Sequence, residues 1–487
     1  MKRPFFVHQI ETRMRRRPPR LNRRIRATNP LPDGSKVLVI GGGIAGSAFT
    51  RQLFLLAEKE SRDISVTLIN STNCNYCGGL VTNLALNTLR ELYQLDIPDE
   101  LVLKNIEECV FINRCGSTEV LVPDSLTATL RTSRFGLPGF DDSIKQRIMD
   151  GIPAQKTKLE TIEPTIVRQI LPPEKPGEKW RLVLSRRNPD KTFQEVAGDV
   201  VVVACGFRAL NRPVLQHFQE VTGYVPPATM PASVTEVDTS KAKRNLIANK
   251  MFILDGIVPE AVCAFIPKGK NWLTLTSLNK RLSEEDLLVL FNHPEVKKYL
   301  DLPDPVKALR CHLICGASVY TGPAQNFYGD GWVVIGDLSG YGRVLKDGYF
   351  AAFYGARLAA ETLIYHGASR KAFARYYHRP LKEFVMDNRV GMKLFYLNNF
   401  IGRQEWFGRL FIAASEWERE KTDYGSYLHA AIRALCTGEL SYRLIGLLLI
   451  AGLMKFIVCR PGTTLKCLLR SNSEFSSRKG EKHGQSH

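Results

Sequence analysis

The feature that most constrains this 487-residue chain is a run of glycines set between an apolar stretch and a helical one. Lys36-Val37-Leu38-Val39-Ile40 has the length and composition of a buried strand, and Gly41-Gly42-Gly43-Ile44-Ala45-Gly46 follows at once. Over residues 47–60 apolar side chains return at helical spacing (Ala48, Phe49, Leu53, Leu56), and residues 64–69 read as a second strand. The pattern is β-α-β in one short span, with the glycines where strand becomes helix. Gly41 permits a tight turn, Gly43 lets a pyrophosphate approach the backbone, and Gly46 lets helix and strand pack closely. Ile44 and Ala45 open a helix whose first N–H groups face the phosphates. A GxGxxG motif is weak in isolation, but between a strand and a helix it points to a dinucleotide site.

In such units an acidic residue at the end of the second strand accepts hydrogen bonds from the adenosine ribose. Asn70 stands there instead, so the ribose contact is expected to be uncharged and weaker. Farther on, residues 180–185 and 192–196 read as paired strands. Residues 200–204 have the continuous apolar character of a buried parallel strand, ending at Cys205-Gly206. Short strands fill 215–330, residues 331–337 form one more buried strand, and 348–364 a long helix that Gly367 can cap. From about residue 370 the chain reads as helical. The order predicts an α/β fold in which a Rossmann-type domain (35–215 with 331–375) carries an inserted mixed β-sheet substrate domain (216–330). A helical C-terminal region (376–460) and a polar tail (461–487) follow, and a basic arm (1–34) precedes.

The glycine turn, the strand ending at Gly206 and Gly336-Asp337 before a helix at Gly348 occur in the order that resembles flavoproteins related to p-hydroxybenzoate hydroxylase. In that superfamily the aspartate binds the ribitol or ribose of FAD and the helix N-terminus faces the flavin. The resemblance therefore implies FAD, held through Gly41, Gly43, Ile44, Ala45, Gly46, Asn70, Gly206, Gly336, Asp337 and Gly348. A positive helix end there suits an anionic reduced flavin. Within the superfamily the chain most resembles the geranylgeranyl reductase family, over residues 37–373. Cys74-Asn75-Tyr76-Cys77-Gly78-Gly79-Leu80 is similar to a Cys-x-x-Cys-Gly-Gly segment, and Pro138-Gly139-Phe140-Asp141 to a Phe-Asp pair that opens a helix. Residues 264–269 are similar to an aromatic-x-Phe-Pro-Lys-Gly strand, and Arg343-Val344-Leu345-Lys346-Asp347-Gly348 to an Arg-x-x-Lys-Asp-Gly turn. Better-studied isoprenoid reductases carry a Pro- and Gly-rich turn at that last place, so their substrate does not carry over.

The resemblance implies an FAD-dependent oxidoreductase that reduces carbon–carbon double bonds of an isoprenoid or other lipid-like substrate. Cys77 matches a cysteine near the flavin, as proton donor or as pocket wall; a small buried side chain is the plainer alternative. Lys346 and Arg343 precede the flavin-facing helix and either favour the reduced flavin, steer an electron donor, or are surface charges. No second GxGxxG unit for NAD(P)H appears, so the sequence does not name the electron donor, and NAD(P)H and a ferredoxin-like protein both stay open. An FAD monooxygenase or halogenase on the same fold, and a flavin-binding protein without catalysis, stay open beside this reading.

Net charge is +19, but residues 1–28 carry +9 and residues 460–487 carry +4, so the body between them is only mildly basic. The arginine-rich start, with Pro18 and Pro19, lacks the apolar content to fold alone. No nucleic-acid motif accompanies the charge, so nucleic acid is not an expected partner. No apolar run precedes Val37, which argues against a secretory signal and for a cytoplasmic protein, with a peripheral place on the cytoplasmic membrane face as an option. The eleven cysteines lack disulfide-scaffold spacing, favouring a reducing compartment, and Cys74 with Cys77 has no second pair to complete a zinc site, so no metal is expected. Residues 444–458 are almost wholly apolar, yet short of the roughly 20 residues that span a bilayer. Flanked by Arg433, Arg443, Lys455 and Arg460, they suit an interfacial helix or a core helix better than a span.

Overall fold

A computed structural model describes residues 26–71, 77–122, 127–133, 137–175, 177–186, 193–310, 313–344, 348–421 and 427–469. Its central sheet contains β1 (Ser35–Ile40), β2 (Ile64–Ile69), β3 (Thr157–Ile162), β4 (Val200–Val203), β5 (Tyr328–Gly329) and β6 (Trp332–Val334). They lie in the order β5-β6-β4-β1-β2-β3, every pair parallel except β5 with β6. Val37 to Ile40 and Val200 to Val203 are buried throughout, as parallel strands covered on both faces must be. Ile40 pairs with both Ile69 and Val203, so the C-terminal ends of β1, β2 and β4 come level at one edge. That edge is where an open α/β sheet binds its ligands.

Eight helices complete the parts that shape this edge: α1 (Ile44–Lys59), α2 (Phe140–Gln146), α3 (Gly348–His366), α4 (Arg379–Ile401), α5 (Glu405–Lys421), α6 (Tyr427–Thr437), α7 (Tyr442–Cys459) and α8 (Pro461–Leu469). α1 packs along α3, joining the first glycine motif to the last Rossmann helix. A seven-stranded mixed sheet stands beyond the edge, in the order Cys315–Tyr320, Thr229–Asp238, Trp272–Leu278, Val262–Lys268, Lys250–Asp255, Glu108–Asn113, Gly116–Leu121. It thus recruits a hairpin from residues 108–121 as well as strands from the 216–330 span, and Glu108–Asn113 runs parallel to Lys250–Asp255.

One face of this sheet is closed by helix Glu284–Asn292 through Leu287, Leu290 and Phe291. The other meets the C-terminal helices, where Val120, Met251, Phe411, Trp417 and Phe456 share a core. Buried polar ties fix those helices. The Glu418 carboxylate accepts from the N–H groups of Tyr427, Leu428 and His429, capping α6 with a negative charge at its positive end. Arg343 pairs with Asp387 at 3.1 Å, donates to the carbonyls of Gly438 and Leu440, and lies over the Tyr442 ring.

Several expectations need correction. The basic arm does not extend to residue 34: Thr28 and Leu31 donate to the carbonyls of Tyr365 and Leu363 at the end of α3, and Leu31 is buried. Residues 1–25 lie outside the described residues. The tail does not begin at 461, because Pro461, at a first-turn position that needs no N–H donor, opens α8. Cysteine spacing favours reduced thiols, yet Cys109 and Cys436 form a disulfide between the mixed sheet and α6. A pairing made by tertiary structure across 327 residues leaves no local pattern to read. Cys74 lies outside the described residues, and among those residues no cluster suited to a metal ion occurs.

Candidate functional site

A cavity of about 1,400 Å³ opens at the C-terminal edge of the central sheet and continues to the mixed sheet and the C-terminal helices. This exceeds the roughly 300–1,000 Å³ of ordinary ligand pockets. Gly41, Gly43, Ile44, Ala45, Asn70, Cys77, Gly206, Gly336, Asp337 and Gly348, named from sequence, all line it. Gly46 does not, and Lys346 lies outside the described residues.

The glycines divide by task. Gly41 has φ +112°, and a Cβ there would stand 2.5 Å from the Ala204 carbonyl oxygen. A Cβ on Gly46 would stand 1.9 Å from the Gly41 carbonyl oxygen, so Gly46 acts beneath the cavity, letting α1 seat against the turn. At Gly43 a Cβ would meet nothing within 4 Å, and this residue faces the cavity. α1 begins there with no side-chain cap and no acid in its first turn, which leaves its positive end to the cavity. Two glycines close the packing and one holds a space open, the arrangement a pyrophosphate requires.

Gly336 (φ +69°) brings the second motif to the first, since a Cβ there would lie 2.8 Å from the Ala45 methyl. Asp337, next in the chain, sits deep in the protein but is bare to the cavity, and desolvation pushes its carboxyl above the usual range. Such a carboxyl gains from a hydroxyl donor. Gly206 (φ +64°) and Gly348 also leave open space, the latter at the start of α3. The residues therefore fit an extended dinucleotide, its phosphates at Gly43 and a polyhydroxy segment at Asp337.

Asn70 holds the turn. Its side-chain carbonyl accepts from the Gly42 N–H at 3.1 Å, while its amide donates to Glu163 at 2.8 Å. Cys77 lies on the wall, half-buried, its sulfur 3.4 Å from the Gly79 nitrogen. Gly79 (φ +67°) explains the double glycine after it, because a Cβ would collide with Lys268 Nζ and the Leu130 carbonyl. The 264–269 motif supplies that buried Lys268, which donates to the Leu130 carbonyl at 2.5 Å. Two motifs recognised separately thus meet at one wall. Arg343 is no surface charge: it anchors the loop before α3 to the C-terminal helices, and Val344 N–H donates to Asn388 of α4.

Other cavity groups have no role assigned from sequence. The Cys205 thiol is pushed up to about 12 by burial, which makes it a neutral wall. The Asp255 carboxyl is also raised by burial and accepts from Asn398 of α4 at 2.9 Å. No sequence pattern marks it, since its neighbour lies 143 residues away. Apart from the Asp255–Asn398 pair, the cavity wall at the mixed sheet and the C-terminal helices is largely apolar, with Phe111, Met251, Phe395, Phe411, Ile445 and Leu449.

No protein-family model and no curated protein sequence matches the chain. Solved structures do share its fold. A geranylgeranyl bacteriochlorophyll reductase-like protein from Thermoplasma acidophilum is 13% identical with a TM-score of 0.57, over 89% of this chain and 98% of that one. A flavoprotein/dehydrogenase from Cytophaga hutchinsonii has the same identity and TM-score, over 83% and 92%. A flavin-dependent halogenase is 16% identical with a TM-score of 0.52, over 87% of this chain and 77% of that one. The chain thus has the architecture of FAD-binding Rossmann-type flavoproteins, and the neighbours differ among themselves in the reactions their names describe.

Proposed function

We propose that this chain is an FAD-dependent oxidoreductase that reduces a carbon–carbon double bond in a lipid-like, isoprenoid-type substrate. The observation that carries the reading is one continuous cavity, with a dinucleotide cradle at Gly43 and Asp337 and an apolar chamber beneath α4 to α7. FAD supplies hydride chemistry when bound. The chain's own groups then have separable tasks. Backbone N–H groups at the start of α1 neutralise the pyrophosphate, Asp337 accepts from a ribityl or ribose hydroxyl, and the N-terminus of α3 favours negative charge on the ring system. The aromatic and aliphatic chamber excludes water and aligns an unsaturated chain. Cys77, on the same wall, holds a proton at Sγ for delivery to the substrate carbon.

The exposed face of α7 supports access from a lipid surface. Its mean hydropathy is 2.0 over 18 residues, yet only a third of it is buried. Ile445 and Leu449 face the cavity, whereas Leu447, Ile450, Met454 and Val458 are exposed along one stripe. Leu465, Leu468 and Leu469 of α8 extend the exposed apolar surface, with Arg460 and Lys466 beside it. An amphipathic border of this kind suits the interface of an anionic bilayer. The electron donor in this proposal is NAD(P)H or a ferredoxin-like protein.

The test is anaerobic. Flavin reduced by dithionite is mixed with a polyprenyl substrate in anionic vesicles, and reoxidation is followed with mass spectrometry of the lipid. Substrate-dependent reoxidation with a gain of two hydrogens is expected, and Cys77→Ser should slow it while flavin content stays intact. Oxygen uptake coupled to a hydroxylated or halogenated product would replace the reductase reading with a monooxygenase or halogenase.

A further inference from the structure

The adenosine end of the cradle presents a problem that the second strand does not solve. Asn70 occupies the acceptor position at the end of β2, but it brings no charge there, and its carbonyl already accepts from Gly42 while its amide donates to Glu163. The adjacent strand supplies what is missing. β2 and β3 run parallel with Ile69 opposite Ile162, the Asn70 N–H donates to the Ile162 carbonyl, and the Thr165 N–H returns to the Asn70 carbonyl. Glu163 therefore stands immediately beside Asn70 at the same sheet edge, on the cavity wall.

We propose that Glu163, one strand removed from the usual position, is the carboxylate that accepts the adenosine ribose hydroxyl of the dinucleotide. The inference rests on the FAD reading above and deepens it. Lys145 of α2 donates to both Glu163 oxygens, at 3.1 and 3.0 Å, and Asn70 to one of them, so the carboxylate is oriented from two sides. A carboxylate offers about four acceptor positions; three are taken, and one is left toward a ligand. Thr165, also on the wall, holds a buried hydroxyl without a hydrogen-bond partner among the described residues. Asn70 becomes a positioning residue that ties the phosphate turn at Gly42 to the ribose carboxylate, which couples recognition of the two halves of the nucleotide.

The test measures binding, with no turnover required. Flavin-free protein is titrated with FAD by fluorescence quenching, with ADP and 2′-deoxy-ADP as competitors, for wild type, E163Q, N70D and the double variant N70D/E163Q. A charge-assisted hydrogen bond of this kind corresponds to about tenfold in affinity. Wild type is expected to prefer ADP over 2′-deoxy-ADP by about that factor. E163Q should lose both the preference and a comparable factor in FAD affinity, with thermal melts confirming that it folds. N70D should also weaken FAD, because it sets a second carboxylate beside Glu163, and N70D/E163Q should regain affinity by moving the single charge back to β2. FAD affinity and 2′-hydroxyl preference unchanged in E163Q, or FAD bound more tightly by N70D, would overturn the assignment while leaving the FAD reading intact. A wild-type protein that binds neither FAD nor ADP would overturn both.

Discussion

The two ends of the cavity are built on opposite principles. At the cradle, position is set by backbone: Gly41 and Gly46 remove atoms so that strand, turn and helix close on one another, and Gly43 keeps a space free. At the chamber, position is set by long-range side-chain ties: Arg343 to Asp387, Glu418 to the start of α6, Cys109 to Cys436. The difference teaches where each end is vulnerable. The cradle tolerates no added atom at its packed glycines, and the chamber tolerates no lost partner.

The largest effect is expected from Gly46→Val. Its Cβ would stand 1.9 Å from a backbone oxygen that cannot move without opening the β1 turn. A loss of about 4 kcal/mol or more in denaturant unfolding is expected, the range reserved for core overpacking and strain. Gly43→Ala should leave stability within about 1 kcal/mol, because its Cβ enters empty space at a compatible φ of −76°. Equal losses from the two variants would break the division of tasks among the glycines.

At the chamber, Arg343→Met strands Asp387 in a nearly buried setting and should cost about 3–5 kcal/mol, with faster proteolysis of the C-terminal helices. Adding Asp387→Leu should recover only the part of the loss due to the stranded charge, because the Gly438 and Leu440 carbonyls and the Tyr442 N–H still lose their partners, whereas a neutral single variant would show that the tie carries nothing. Reducing the Cys109–Cys436 bond should cost about 2–4 kcal/mol, read as a lower melting temperature with dithiothreitol that Cys436→Ser reproduces without it. A smaller effect concerns acid. His429, capped under Glu418 and donating to the Ser415 carbonyl, has its pKa lowered to about 4 by burial. Unfolded histidine titrates near 6.5. The contribution is therefore present above about pH 6.5 and is lost as pH falls toward 4, because the unfolded chain binds a proton that the folded one refuses. Hydrogen exchange should show α6 loosening in that window before the central sheet, and His429→Gln should flatten the trend.

The same contrast explains what sequence could and could not disclose. The β1–α1 turn is legible because glycine is required by geometry within a few residues, and the strand runs beside it are legible because parallel strands bury both faces. Even Gly79, whose neighbours Lys268 and Leu130 are remote, is visible as one of a glycine pair. The chamber is not legible. Arg343 and Lys346 look alike in sequence, and only the distant Asp387 makes the first a buried anchor. Glu163 is hidden for a similar reason: it becomes Asn70's partner through strand register, 93 residues away, and nothing near it resembles a nucleotide motif. Asp255 gains its raised pKa from burial beneath α4, a property of packing alone.

The central claim is that the open space at Gly43 is a dinucleotide cradle serving the apolar chamber. It is tested most directly by purifying wild type and Gly43→Ala side by side and measuring the flavin released on denaturation. One FAD per wild-type chain is expected, with Gly43→Ala folded to the melting temperature of flavin-free wild type but carrying no flavin. FAD retained equally by both proteins, or absent from a folded wild type even after reconstitution, would contradict the account.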